Sequence, residues 1–504
     1  MDDSLGLSGP QAARGGRRSA SRCPHAPLAW PDHRGGRMTI SNLLVLGVTG
    51  DLTSRLLLPG LASLAVHREL PEGFRLTGAA VNDWDTGQFR HYVRESLGAD
   101  GPESAAALED LAARAAYHRA DVTDPGQVRE LVRSVTREGP VGIYLALPTG
   151  LIQEAVRALE GVALPPGSRL AIEKPFGHDA SSAQELNASL SRVVGPLGER
   201  AVYRVDHVLA MSSLHNLLTL RMENRPLAAT WSARDIARVE ILWDETIDAH
   251  GRAAYYDRAG ALRDVMQNHM VQVLCWVAME PPEELTDEAL DEAELEVLRR
   301  TRVVRDPSGH FMARRARYTS GVLARTGGAH GGRVEDYVDL EGVDPARDTE
   351  TLAEVVLEVD LPRWRGTTFV MRAGKALAER RKGVLVHYRP SGTGRRHTPG
   401  DRPGVDNRLW IGIDGPDEVR LGLRGSALSP RPEHRPLLLT ARVPPTGHPP
   451  YGNVLLDFLS GGSAHAVSAQ EPVEAWRIFE PVLAEWDDPG SPMGAYMAGT
   501  APQA

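Results

Sequence analysis

The amino-acid sequence predicts a doubly wound α/β domain followed by a larger α+β domain whose sheet is mainly antiparallel. Three observations carry this. Residues 38–205 alternate short apolar runs with helical stretches, the pattern of parallel strands joined by crossover helices. The first apolar run, Leu43–Leu46, leads directly into Gly47-Val-Thr-Gly50-Asp51, a glycine turn at the head of a helix. Beyond residue 206, strand-like segments outnumber helices, as in an antiparallel sheet with helices on one face.

In chain order, the strand at Leu43–Leu46 is followed by a helix from about Asp51 to Glu69 and a strand at Arg75–Val81. A strand at Ala115–His118, a helix near Asp124–Glu138, a strand at Gly142–Leu147, a helix through Ile152–Leu159 and a strand at Ser168–Ile172 complete the first unit. Such a Rossmann-like sheet holds its ligand at the carboxyl ends of the strands, near the first crossover. Gly47 and Gly50 let the backbone approach a pyrophosphate, and the helix that follows offers unpaired N–H groups and a partial positive charge. On two glycines alone the segment is equally an ordinary tight turn.

In the second unit, helices are expected around Leu209–Met222 and Ala261–Ala278. Strands are expected at Val239–Trp243, Leu352–Val359, Thr368–Ala373, Gly383–His387, Arg408–Ile413, Glu418–Gly422 and Leu437–Ala441. The expected organisation is a tail or mis-assigned start at 1–37, a dinucleotide-binding domain at 38–205, a larger α+β domain at 206–490, and a flexible C-terminus at 491–504. The first 37 residues, with Gly15-Gly-Arg-Arg-Ser-Ala-Ser-Arg22, lack both a hydrophobic period and the apolar core of a signal peptide.

At 504 residues and 42% hydrophobic content the chain suffices for two large domains. A net charge of −9 argues against a general nucleic-acid binder and points to small anionic ligands met by local Lys and Arg. The two cysteines, Cys23 and Cys275, are too few for a disulfide framework, so a reducing, cytoplasmic setting is expected. No run of eighteen apolar residues occurs, and no membrane-spanning helix is expected.

Residues 261–269, Ala-Leu-Arg-Asp-Val-Met-Gln-Asn-His, set a carboxylate, an amide and an imidazole side by side. An oxidoreductase acting on an alcohol needs a base for the hydroxyl proton as hydride leaves, and histidine titrates in the right range. His269, followed by Met270, Val271 and Val273, is by itself equally a core residue of an apolar helix face. Two further segments shift the balance: Gly47-Val-Thr-Gly50-Asp51-Leu-Thr-Ser-Arg55 upstream, and Arg204-Val-Asp206-His207 ahead of His269. With Glu173-Lys174-Pro175-Phe176-Gly177, Arg252…Tyr256-Asp257, Arg372-Ala-Gly-Lys375-Ala-Leu…Glu379-Arg380 and Tyr451…Asp457, they resemble the glucose-6-phosphate dehydrogenase family in order and spacing. The likeness runs from about Asn42 to about Trp486.

The resemblance implies NADP or NAD as cofactor, held by Gly47, Thr49, Gly50, Asp51 and Leu52, with Pro148 in a lining turn and Lys174 touching both cofactor and sugar; Arg55, by default a solvated arginine, is the cation on the turn's helix that can substitute at a 2′-phosphate. It implies His269 as the base, oriented by Asp206, whose carboxylate on the second ring nitrogen fixes the tautomer and stabilises the imidazolium. Substrate contacts fall to Lys174, His207, Glu245, Asp264, Lys375 and Arg380, and a homodimer or homotetramer through the large sheet is implied. No metal is expected, because the histidines lack ligand spacing and the cysteines cannot form a zinc set.

Several positions depart from the family pattern. Val81, followed by Asn82-Asp83-Trp84, stands where an arginine commonly meets a 2′-phosphate, and Thr149 replaces a second proline after Pro148. Val208 and Met211 replace the tyrosine and lysine of the phosphate pocket, and Gly412 and Asp414 replace an arginine and a glutamine. A charge-assisted hydrogen bond to phosphate contributes roughly 1.5–3 kcal/mol, so the loss of the lysine predicts weakened binding of glucose 6-phosphate. The expected activity is glucose-6-phosphate 1-dehydrogenase, feeding the oxidative pentose phosphate route. The alternatives are a dehydrogenase of a variant or unphosphorylated hexose, and a non-catalytic nucleotide-binding homologue, which retention of Asp206, Glu245, Asp264 and His269 together disfavours.

Overall fold

The computed structural model describes residues 38–97, 102–324, 332–390, 407–415, 417–427, 433–443 and 447–501. The expected tail at 1–37 lies outside them. Strands β1 (Asn42–Leu46), β2 (Arg75–Ala80), β3 (Ala116–Arg119), β4 (Val141–Leu145), β5 (Arg169–Glu173) and β6 (Val202–Val205) form a parallel sheet in the order β6-β5-β4-β1-β2-β3. Leu44, Leu46, Val141, Ile143, Leu145, Leu170 and Ile172 are fully buried on it, as strands covered by helices on both faces require. The order reverses between β1 and β4, so the glycine turn after β1 opens at the topological switch point.

The second sheet contains β7 (Ile236–Asp244), β8 (Thr301–Val303), β9 (Ala313–Thr319), β12 (Leu352–Val359), β13 (Thr368–Gly374), β14 (Arg381–Tyr388), β15 (Arg408–Gly412), β16 (Glu418–Ala427), β17 (Glu433–Arg442) and β19 (Gly494–Met497); β10 (Gly321–Leu323) and β11 (Gly332–Val334) make a separate ribbon. It is antiparallel except at β7–β13 and β9–β19. Its order is β17-β16-β15-β14-β7-β13-β12-β9-β19, with β8 beside β12. The helices Leu262–Met270, Val271–Ala278 and Gln470–Trp486 supply buried faces, including Trp276 and Trp476, to a core continuous with this sheet and one face of the first.

Two expectations about domain limits change. The first sheet is completed from the far end of the chain: β18 (Ala466–Val467) pairs antiparallel with β6, and the helix Pro450–Ser460 packs its Tyr451, Val454, Leu455 and Phe458 into the core behind β1. The expected flexible C-terminus at 491–504 is instead ordered through residue 501, because β19 pairs with β9 and the Tyr496 ring is buried, its hydroxyl 2.7 Å from the Lys375 carbonyl.

Candidate active site

His269 lies on Leu262–Met270, a segment wound with i→i+5 rather than i→i+4 hydrogen bonds. The wider winding brings residues five apart, Asp264 and His269, toward one face, where an α-helix would separate them. Gly260, at φ 71°, breaks the preceding helix Ala253–Ala261, and the buried Glu350 carboxylate accepts the Leu262 N–H at 2.9 Å where the new winding starts. Lys174, just past β5, crosses to this segment and donates to the Asp264 carbonyl at 2.7 Å and to Asn268 Oδ1 at 3.4 Å.

The His269 Nδ1 is 2.6 Å from Asp206 Oδ1, and both side chains are buried. Burial works against ionising Asp206, but the His269 imidazole overrides it and holds the carboxyl down at about 2. Burial dominates for His269 and lowers it below the ordinary histidine range despite Asp206. The neighbouring His207 packs edge-on against His269 with ring centres 4.7 Å apart and is pushed down to about 3, chiefly by burial, then by His269, with Lys174 and Lys382 contributing. Potential ligand atoms of Asp206, His207 and His269 all lie within 4.8 Å. The short bond between Asp206 and His269 engages Nδ1 and leaves Nε2 as the ring's other nitrogen.

Behind them, Glu173 Oε1 accepts from Tyr144 at 2.5 Å and Tyr451 at 3.2 Å, and Tyr451 stacks on His207. Burial pushes the Glu173 carboxyl up to about 7, against the two tyrosine bonds and Lys174.

A second cluster sits at the carboxyl end of β7. Glu245 is bracketed by Lys375 Nζ at 2.6 Å and Lys382 Nζ at 2.9 Å. Burial would raise its carboxyl, yet the two ammonium groups bring it to about 2. Lys382 also holds Asp414 Oδ2 at 2.8 Å, and the exposed Arg380 binds the Asp414 carboxylate at 3.1 Å and the Gly415 carbonyl. The Trp243 ring bridges the clusters: its centre is 6.0 Å from that of His269 and 4.8 Å from Lys382 Nζ.

At the switch point, Gly47 has φ 85°, and a Cβ there would meet the Ala146 carbonyl oxygen at 2.4 Å, so the turn is pressed against the Leu147-Pro148 turn and admits only glycine. Thr49 Oγ1 donates to Asn82 Oδ1 at 2.9 Å, tying this turn to the end of β2. Asp51 and Leu52 begin the helix, Arg55 is exposed on its first turns, and Pro148 is exposed beside the cradle. The set fits a dinucleotide: a glycine-only backbone, a helix amino terminus, and an open edge at the strand ends.

The glucose-6-phosphate dehydrogenase NAD binding domain profile matches residues 44–216, and the glucose-6-phosphate dehydrogenase C-terminal domain profile matches residues 218–504. The chain belongs to the glucose-6-phosphate dehydrogenase family. Relatives in this family include glucose-6-phosphate 1-dehydrogenase of Gluconobacter oxydans (strain 621H), 32% identical over 473 residues, covering 91% of this chain and 93% of the relative. Glucose-6-phosphate 1-dehydrogenase 2 of Mycobacterium tuberculosis (strain ATCC 25618 / H37Rv) is 33% identical over 482 residues, covering 91% and 90%. Among solved structures, the Mycobacterium avium glucose-6-phosphate 1-dehydrogenase superposes with a TM-score of 0.77 at 30% identity, covering 92% of this chain and 94% of that one. A glucose-6-phosphate dehydrogenase in complex with its substrate glucose-6-phosphate superposes at 0.80 with 25% identity, covering 93% and 96%. As a member of this dehydrogenase family, the chain is an oxidoreductase that uses NADP or NAD.

Against that family pattern, the structure brings Asp206, His207, His269, Lys174 and Asp264 into one cluster, and Glu245, Lys375 and Arg380 into the other. Sequence reasoning missed Lys382, which sits in the Arg380-Arg-Lys run and reads as a solvated charge until β14 pairs beside β7. It also missed Arg119, whose guanidinium pairs with Asp83 at 3.0 Å beyond β2.

Proposed function

We propose that this chain oxidises the C1 hydroxyl of glucose 6-phosphate to 6-phosphogluconolactone, with hydride passing to NADP or NAD. The His269–Asp206 pair carries the reading. His269 Nε2 takes the C1 hydroxyl proton as the C1–H bond breaks, and Asp206 stabilises the imidazolium that forms. Bound at the switch point, the nicotinamide supplies the hydride acceptor. Lys174, anchored to the Asp264 carbonyl, sits between the two domains to position the sugar, and Asp264 and Glu245 take its hydroxyls. Incubating the purified chain with glucose 6-phosphate and each cofactor, and following reduced nicotinamide by absorbance, tests this; a folded protein that reduces neither cofactor would end the reading.

Cofactor choice in this reading is relaxed toward NAD. Val81 is 64% exposed and uncharged, and the adjacent Asp83 places a carboxylate there. The expected kcat/KM for NAD equals or exceeds that for NADP. A hundredfold preference for NADP would instead assign the 2′-phosphate to Arg119 or Arg55.

We also read the chain as a homo-oligomer in the cytoplasm. β17 ends the described path of the large sheet and exposes Leu437, Leu438 and Leu439 at 46%, 54% and 51%, an apolar edge that a second copy can cover. Light scattering after size exclusion is expected to give a multiple of the chain mass, and Leu438→Lys to reduce it; a monomeric wild type would contradict the assignment. Cys275, the one cysteine among the described residues, is buried with a free thiol, and recovery of the protein from an extracellular fraction would argue against the cytoplasmic placement.

A further inference from the structure

We propose that Lys382 is the specificity-determining cation for the substrate phosphate, supplied from β14 in place of the lysine that Met211 has displaced. The inference rests on the glucose 6-phosphate reading above. Met211 is almost fully buried and offers no charge, and Val208 beside it is wholly buried, so that wall of the pocket is apolar. Met211 shares a cavity of about 530 Å³ with Asp414, Gly415, Ser212 and His448. Asp414 in turn grips Lys382 at 2.8 Å, so one carboxylate joins the wall that lost its cation to the strand that carries a new one. Lys382 also contributes to the field that keeps His207 neutral, which sets it on the catalytic side of the sheet.

The geometry suits a hexose 6-phosphate. Trp243 lies between His269 and Lys382, so a sugar with C1 at His269 and its ring along Trp243 presents its far end to Lys382. An ammonium group has three donors. Glu245 and Asp414 take two and hold the side chain, which is 10% exposed, in one position, leaving the third for a phosphate oxygen. Lys375 and Arg380 flank it, so the dianion meets three cations whose partial neutralisation by Glu245 and Asp414 limits the cost of assembling them without ligand.

The test compares kcat/KM for glucose 6-phosphate with that for unphosphorylated glucose, using the intact chain with saturating cofactor. Lys382→Met is expected to lower that ratio at least tenfold, the loss falling on glucose 6-phosphate far more than on glucose, and adding Met211→Lys is expected to restore it. Lys382→Arg, which keeps the charge if the methionine variant folds poorly, is expected to stay within a few fold of wild type. In the wild-type background Met211→Lys should change the ratio less than threefold. An unchanged ratio in Lys382→Met, a parallel fall for both sugars, or a tenfold gain from Met211→Lys alone each overturns the assignment while leaving the dehydrogenase reading intact. A folded wild type that oxidises neither sugar overturns both.

Discussion

His269 draws its chemistry from two opposed influences, burial that favours the neutral ring and Asp206 that favours the charged one. Burial prevails, so the ring is neutral at neutral pH, the form that the proposed reaction needs in order to accept a proton beside Asp206. Two outcomes follow at this scale. His269→Asn is expected to lower kcat by about 10²–10⁴-fold, the range of general-base catalysis, in a protein with an unchanged melting curve; near-normal turnover would remove the residue from its role. Because its folded pKa lies below 6.5, the catalytic form persists at higher pH and is lost as pH falls, so the acid limb of kcat/KM should lie below pH 6.5. Asp206→Asn takes away the group that raises the histidine, and should move the limb lower still while reducing kcat. A wild-type limb centred above pH 6.5 would point to another base. The identities of these residues were legible in the chain from their motif and order. Lys382 was not, since nothing local distinguishes it from Arg381 beside it, and only the pairing of Lys382 with Trp243 across β14 and β7 turns it toward Glu245.

Among the elements, Leu262–Met270 stands out because its winding decides which side chains share a face with His269. The sequence predicts a continuous helix from Ala261 to Ala278, and the apolar spacing that supports it is real: Val273, Leu274, Trp276 and Val277 are buried. What periodicity cannot report is the change of hydrogen-bond register, which arises where Gly260 breaks the preceding helix and Glu350, 88 residues on in the loop ahead of β12, accepts the Leu262 N–H. A Cβ at Gly260 would lie 2.5 Å from both Glu350 carboxylate oxygens, at a φ of 71°. Gly260→Ala is therefore expected to destabilise the protein by about 1–3 kcal/mol and to lower kcat through misplacement of Asp264 and His269. Denaturant unfolding alongside steady-state kinetics checks this, and wild-type values for both would show that the kink is dispensable. The glycine turn after β1 is the opposite case, since Gly47 and Gly50 announce it in the sequence, although the close approach that demands Gly47 is to the distant Ala146 carbonyl.

For the whole molecule, the return of the chain end to both sheets is decisive. Residues 450–467 finish the first domain, and Tyr496 on β19 braces the Lys375 carbonyl from the rim of the second. Removing residues 491–504 is expected to lower the melting temperature by several degrees and to raise KM for glucose 6-phosphate, because Lys375 loses its backbone support; unchanged values would restore the reading of a dispensable terminus. The sequence by itself determined the two-domain class and the glycine turn after β1. Each of these is written in a contiguous motif or in a period set by local backbone geometry. Tertiary structure alone decided the i→i+5 winding under Asp264 and His269, the pairing of Lys382 with Glu245 and Asp414, and the ordering of the C-terminus. These depend on contacts between residues far apart in the chain, where strand register and burial, rather than local preference, select the neighbours.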